Sequence, residues 1–127
     1  MVFVFGSNLA GRHGRGAAKH ALDKYGAIYG RPVGMQGNSY AIPTKDKNLR
    51  PLHLNEIAIY IGKFLEFARD NPDLKFMVTR IGCGLPGYTD DEVKPYFRRA
   101  PDNCFLPYGW GGPDWYGNKE ETKENCY

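Results

Sequence analysis

The chain has 127 residues, of which 42% are hydrophobic and 24% are charged, and its formal net charge is +3. This length is typical of one domain with a modest core, and the composition is that of a soluble globular protein. No apolar run approaches the roughly 18 residues of a membrane span. The mild positive charge falls short of the dense basic stripe that is typical of nucleic-acid-binding domains.

The N-terminal residues do not show the pattern of a secretory signal, because the apolar run at residues 1–5 is short and no basic residue precedes it. The three cysteines Cys83, Cys104 and Cys126 are odd in number and lack the spacing of metal ligands. We therefore expect a cytoplasmic protein with free thiols, with no metal site and no cofactor.

Strands and helices alternate along the predicted chain. In order, we expect a strand at 2–5, a helix at about 14–25, a strand at 39–42, a helix at 54–70, a strand at 76–81, a helix from 89 and a strand at 104–106. This alternation predicts an α/β fold, namely a three-layer α/β/α sandwich with a mostly parallel sheet. We expect residues 1–107 to form this domain and 108–127 to form an aromatic and polar C-terminal extension outside the core.

Local sequence signals support each of the three predicted helices. The helix at 54–70 has one apolar stripe and ends before Pro72; the stripe consists of Leu54, Ile57, Ala58, Ile61, Leu65 and Ala68. Gly26 stands where a helix-terminating glycine is expected after the helix at 14–25. Thr89 and Glu92 have the spacing of a capping box. Residues 27–38 receive no assignment.

A glycine-rich loop follows the first predicted strand. Its glycines permit tight turns, and their amides, together with the N-terminus of the next helix, are typical of a phosphate-binding site. The predicted ligand-binding residues of this loop are Gly6, Ser7, Asn8, Gly11, Arg12, His13, Gly14, Arg15, Gly16 and Ala17. The alternative is that the glycines only allow tight packing between strand and helix. The amide of Asn8 either orients a ribose hydroxyl or a water, or closes the turn.

A second glycine-rich loop follows the third predicted strand. Its predicted ligand-binding residues are Gly82, Cys83, Gly84, Leu85, Pro86, Gly87 and Tyr88, and Thr44 joins them from the end of the middle strand, with Lys45 as a further candidate. Ligands of open α/β sheets bind outside the carboxyl ends of the strands. We therefore expect the two loops to face each other across one crevice and to bind a nucleotide that carries a diphosphate.

These loops resemble those of the macro-domain superfamily, whose members bind ADP-ribose and related nucleotides. The resemblance rests on residues 8–16 with the helix that follows, and on Arg80-Ile81-Gly82-Cys83-Gly84-Leu85. The second string is most similar to the branch that contains terminal ADP-ribose glycohydrolases. The whole chain is also similar to short macro-like proteins of phage and bacterial genomes. Pro86 stands where that branch carries an aspartate, and Lys24 is out of register with its catalytic lysine.

The resemblance implies binding of ADP-ribose or a related nucleotide by a macro domain-like fold. A second hypothesis is an enzyme that releases ADP-ribose from an ADP-ribosylated macromolecule, or phosphate from ADP-ribose 1″-phosphate. In that hypothesis Asn8 or His13 is catalytic and positions a water at the distal ribose. A third hypothesis is an RNA-interaction module that uses the basic loop and residues 108–127. No membrane partner is expected, and the sequence leaves the oligomeric state open.

Overall fold

The computed structural model describes residues 1–111, and the statements below concern this part of the chain. It contains five strands, which are β1 (Val2–Asn8), β2 (Gly34–Gln36), β3 (Ser39–Lys45), β4 (Phe76–Val78) and β5 (Cys104–Phe105). The helices are α1 (Gly16–Lys24), α2 (Leu54–Asp70) and α3 (Asp90–Val93), and α3 continues into a 3₁₀ helix at Lys94–Phe97. None of the helices in residues 1–111 has the length and the apolar character needed to cross a bilayer.

The five strands form one sheet in the order β2-β3-β1-β4-β5. β1 is parallel to both of its neighbours, with Val4 opposite Tyr40 of β3 and opposite Val78 of β4, and β4 is parallel to β5. Only the β2–β3 pair is antiparallel. The prediction of an α/β fold with a mostly parallel sheet is therefore confirmed. The chain passes from β1 to β3 on one side and later returns to β4 on the other, so the strand order reverses at β1.

Alternate residues of β1 pack into two separate hydrophobic clusters. Val2 and Val4 belong to the cluster that contains the buried side of α2, whereas Phe3 and Phe5 belong to the cluster that contains the alanines of α1. This follows from the strand period of two, which sends neighbouring side chains to opposite faces of the sheet. Because the side chains of β1 are buried in both clusters, the strand begins as a continuous apolar run.

Helix α2 has the predicted bounds. The side chains that it buries are Ile57, Ile61, Phe64, Leu65 and Ala68, which fall on one side of the helix at spacings of three and four. The helix ends because the N–H of Asn71 bonds to the carbonyl of Ala68, and Pro72 lacks the N–H that a further turn would need. The apolar stripe and its stop signal were therefore sufficient to place this element.

Helix α1 is shorter than the sequence suggests, and helix α3 begins with the predicted cap. α1 begins at Gly16 and ends at Lys24, so residues 14 and 15 belong to the preceding loop. Gly26 has a φ of +73°, which confirms it as the glycine that terminates this helix. The capping box of α3 is confirmed: the N–H of Glu92 donates to Thr89 Oγ1 and the N–H of Thr89 donates to Glu92 Oε1.

The strands differ from the predicted ones: two are longer, two are shorter and one was not predicted. β1 and β3 run three residues further, because their parallel pairing continues through Gly6, Ser7 and Pro43 despite the low strand propensity of these residues. β4 and β5 end earlier, at Val78 and Phe105. β2 was missed, since three residues at a sheet edge that include a glycine carry little signal.

The core extends past residue 107. Trp110 is buried, and its ring lies 5.4 Å from that of Phe97, in the cluster that contains α2. Residues 108–111 therefore include a core side chain, although they fall in the segment that was expected to lie outside the core. The rest of that segment, residues 112–127, lies outside the described residues.

Candidate functional site

A cavity of about 1010 Å³ lies at the carboxyl ends of β1, β3 and β4. This is the edge at which the strand order reverses around β1, and such switch points are where open α/β sheets bind ligands. The volume lies at the upper end of the range of ligand pockets, about 300–1,000 Å³. The cavity is therefore large enough for a ligand of the size of a dinucleotide.

Both glycine-rich loops line this cavity. The predicted site residues found in its wall are Gly6, Asn8, Arg12, Gly14, Arg15, Gly16, Ala17, Thr44, Gly82, Gly84, Leu85 and Pro86. The predicted residues that the structure places elsewhere are Ser7, Gly11, His13, Cys83, Gly87 and Tyr88. Lys45 also lines the cavity. The wall further contains Ala18, Tyr29, Leu49, Pro51, Thr79 and Arg80, none of which was a predicted ligand-binding residue.

The charged side chains of the cavity wall are all cationic. They are Arg12, Arg15, Lys45 and Arg80, and no aspartate or glutamate of the described residues lines the cavity. Within residues 1–111, Arg80 is paired with Asp90 at 2.7 Å, whereas Arg12, Arg15 and Lys45 form no ion pair. Three cations that have no carboxylate partner among residues 1–111, gathered in one concave site, favour an anionic ligand.

The N-terminus of α1 adds to this positive potential. Gly16, Ala17 and Ala18 line the cavity, and the side chain of Arg15 at the N-cap makes no capping hydrogen bond. The first turn contains no acidic residue. The first N–H groups of a helix have no partner within the helix, and the helix dipole places about half a positive charge there. This helix start is therefore free to bind an anion.

Asn8 uses its side chain to close the first loop. Its Nδ2 donates to the carbonyl of Arg12 at 2.9 Å, and its Oδ1 accepts from the N–H of Arg12 at 3.0 Å. The residue is 5% exposed and stands at the end of β1. Of the two roles expected for this amide, the structure shows the turn-closing one, and both amide groups already have a protein partner.

His13 is buried instead of facing the cavity. Its Nε2 lies 3.1 Å from Oε1 of Gln36, and that oxygen also accepts from the N–H of Ile28 at 2.9 Å. The Gln36 Nε2 donates to the carbonyl of Arg31, which fixes the orientation of the Gln36 amide. His13 Nε2 is therefore the donor. His13 is fully buried and is absent from the cavity wall, so the structure does not place it where it would position a water on a ligand there.

Ser7 and Gly11 hold the first loop against the segment that precedes β2. The hydroxyl of Ser7 donates to the carbonyl of Pro32, and the N–H of Gly30 donates to the carbonyl of Gly11. A Cβ atom at Gly11 would lie 2.6 Å from the backbone of Gly30, and Gly11 has a φ of +71°. Gly11 is thus a glycine because of packing, and not because of a ligand.

The second loop is fastened by side chains that reach other elements. Arg80 donates to Asp90 of α3 at 2.7 Å and to the carbonyl of Tyr108 at 3.1 Å. Tyr88 was expected to cover a sugar, but its hydroxyl donates to the carbonyl of Leu52 instead. These contacts set the position of Gly82 and Gly84 in the cavity wall.

The two described cysteines lie outside the cavity wall. Cys83 is half-buried, and its Sγ lies 3.6 Å from Asp90 Oδ1. Cys104 is buried in the core, and burial raises the pKa of its thiol to about 12, an effect that the charge of Arg69 partly offsets. A thiol with such a pKa stays protonated and is a poor nucleophile.

Among residues 1–111 no group of three or more His, Cys, Asp or Glu side chains is arranged to hold a metal ion. Comparisons of the chain with models of protein families, with curated proteins and with solved structures found no match.

Proposed function

We propose that this protein binds ADP-ribose or a related diphosphate nucleotide in the cavity between its two glycine-rich loops. One observation carries the proposal: two loops that are more than sixty residues apart in the sequence line the same cavity, whose charged side chains are all cationic in the described part of the chain. A diphosphate carries the negative charge that such a site favours, and a nucleotide fills the volume.

The diphosphate is assigned to the side of the cavity formed by the first loop. The N–H groups at the start of α1, at Gly16 and Ala17, supply hydrogen-bond donors. Arg12 and Arg15 supply charge, and no carboxylate of residues 1–111 pairs with them. Gly14 leaves open space, because a Cβ atom there would meet nothing within 4 Å. Gly82 and Gly84 bring the second loop to the opposite side without bulky side chains.

The three-layer, macro domain-like arrangement is part of this proposal. It is supported by the mostly parallel sheet and by the two hydrophobic clusters, to which β1 contributes side chains from its two faces. The resemblance of the loop sequences to macro domains points the same way, because it concerns the residues that line the cavity.

We propose binding without assigning a hydrolytic step. In the described part of the chain, the cavity wall contains no aspartate, glutamate, histidine or cysteine, and its candidate proton-transfer side chains are Tyr29 and Lys45. Asn8 is in the wall, but its amide already bonds to Arg12. The RNA hypothesis depends largely on residues 108–127, most of which lie outside the described part. The cations discussed above converge in a concave site, which favours a small ligand.

Calorimetric titration with ADP-ribose tests the proposal, and the chain offers a matched pair of variants. Lys45 lines the cavity, whereas Lys47 lies two residues away, is exposed and does not. We expect saturable binding by the wild type, an affinity about tenfold lower for Lys45→Gln, and an unchanged affinity for Lys47→Gln, since a hydrogen bond to a charged group contributes about 1.5–3 kcal/mol. A folded wild-type sample that gives no heat at millimolar ADP-ribose would overturn the proposal.

A further inference from the structure

We infer that the mouth of the cavity binds the aromatic base of the nucleotide, and that Tyr29, Leu49 and Leu85 form the apolar surface that contacts it. The inference rests on the proposed function, which assigns the phosphates to the first loop. It goes further by assigning residues to the base at the other end of the ligand.

The first observation is exposure. Tyr29 is 59% exposed, Leu49 is 40% exposed and Leu85 is 72% exposed, and all three line the same cavity. They come from three separate loops, which precede β2, follow β3 and follow β4. A single exposed apolar residue needs no explanation, but a group of them around one concave site marks a binding surface.

The second observation is backbone strain at Leu49. With a φ of 63°, it is the one residue other than glycine among residues 1–111 that has a positive φ. For a bulky side chain this conformation is strained and persists only where the surroundings impose it. Such strain concentrates at ligand-binding sites.

The hydrogen bonds of the loop show what imposes the conformation of Leu49. Asp46 Oδ1 accepts from the N–H groups of Asn48 and Arg50, the N–H of Asp46 donates to the carbonyl of Arg50, and the N–H of Leu49 donates to the carbonyl of Asp46. A short bridge between Lys45 and Pro51 closes the loop at its base. The loop therefore holds an apolar residue in a strained conformation in the cavity wall, where it is partly exposed to solvent.

Tyr29 is also held in place. Its ring lies 6.1 Å from that of the buried His13, in an edge-to-face arrangement, and the next residue, Gly30, is bonded to Gly11 of the first loop. An aromatic ring that is fixed on one side and exposed on the other offers a stacking surface at little entropic cost.

The side chains of the cavity wall indicate which part of the nucleotide contacts this apolar surface. The cations and the start of α1 account for the phosphates, and the exposed large hydrophobic side chains of the wall are Tyr29, Leu49 and Leu85. A planar nucleobase is the part of a nucleotide that packs on aromatic and aliphatic side chains, and such contacts tolerate different bases. We therefore infer recognition of an aromatic base by packing on these three side chains.

The test compares two ligands, ADP-ribose and inorganic pyrophosphate, on variants that remove an apolar side chain. Leu49→Gly keeps a residue that accepts the positive φ, and Tyr29→Ala removes the aromatic ring. Ile59→Ala is the control, because Ile59 is 62% exposed on α2 but does not line the cavity. We expect Leu49→Gly and Tyr29→Ala each to lower the affinity for ADP-ribose at least about fivefold, with pyrophosphate binding unchanged and the Tm of Leu49→Gly equal to or above that of the wild type.

The outcomes separate the two proposals. If both variants bind ADP-ribose as the wild type does, or if the wild type binds pyrophosphate as tightly as ADP-ribose, the base-binding surface is refuted while the phosphate site stands. If the wild type binds neither ligand, the proposed function is refuted, and the base-binding surface with it.

Discussion

The two glycine-rich loops that line the cavity are stabilised in different ways. The first is fixed by its own residues, by the segment before β2 and by β2 itself. These contacts are the bonds of Asn8 with Arg12, the contact of Gly11 with Gly30 and the bond of the buried His13 with Gln36. The second is fixed by long side chains that reach other elements. Arg80 reaches Asp90, and Tyr88 reaches the carbonyl of Leu52.

This difference indicates where a mutation will affect folding and where it will affect ligand binding. In the first loop, folding and ligand binding depend on different glycines. Gly11 packs against backbone, whereas Gly14 has open space beside it in the cavity wall. In the second loop Tyr88 and the helix cap Thr89 lie outside the wall, Arg80 both anchors the loop and lines the wall, and the wall residues Gly84, Leu85 and Pro86 lie between them. Substitutions can therefore test stability and binding separately in each loop.

The largest expected effect on stability is that of Gly11→Ala. The new Cβ would lie 2.6–2.7 Å from the backbone of Gly30, and alanine at a φ of +71° is strained. Overpacking and backbone strain each cost about 1–3 kcal/mol, so we expect the free energy of unfolding in urea to fall by about 3 kcal/mol. Gly14→Ala is the matched control and should stay within about 0.5 kcal/mol of the wild type. Equal stability of the two variants would refute the distinction between these glycines.

Gln36→Met should have the next largest effect. Gln36 is buried, and its loss leaves the N–H of Ile28 and Nε2–H of His13 without their acceptor. Leaving buried donors unpaired costs about 1–3 kcal/mol each, and part of this is recovered by relaxation, so we expect a loss of about 2–3 kcal/mol in the same unfolding experiment. A loss below about 0.5 kcal/mol would show that this bond network does not stabilise the first loop.

Thr89→Ala tests the second loop and should have the smallest effect. It removes the hydroxyl that accepts from the N–H of Glu92 at the start of α3. The loss of such a cap costs about 1 kcal/mol. Because Thr89 does not line the cavity, the affinity for ADP-ribose measured by calorimetry should not change. A variant that loses both stability and affinity would show that anchoring and binding are coupled in this loop.

The elements with strong local signals could be predicted from the sequence. Helix α2 follows from its apolar stripe and Pro72, and the capping box at Thr89 follows from its spacing. The parallel arrangement of the strands followed from their alternation with helices. It also predicted that the two loops would meet, because parallel strands present their carboxyl ends at one edge.

Pairings between distant segments could not be predicted. β2 at Gly34–Gln36 exists because it pairs with β3, and its own composition does not favour a strand. His13 stands between polar and glycine residues, which suggests exposure, but its buried position depends on Gln36, twenty-three residues later in a segment without an assignment. Leu49 carried one weak signal, an apolar residue in an otherwise polar loop.

Titration of the wild type and of Gly14→Val with ADP-ribose tests the central claim most directly. Gly14 lines the cavity, its φ lies outside the left-handed region, and a Cβ atom there would meet no neighbour within 4 Å. The valine should therefore leave the Tm unchanged while it fills the space assigned to the diphosphate. We predict saturable binding by the wild type and none by Gly14→Val. Equal binding by the two proteins, or no binding by a folded wild type at millimolar ADP-ribose, would contradict the account.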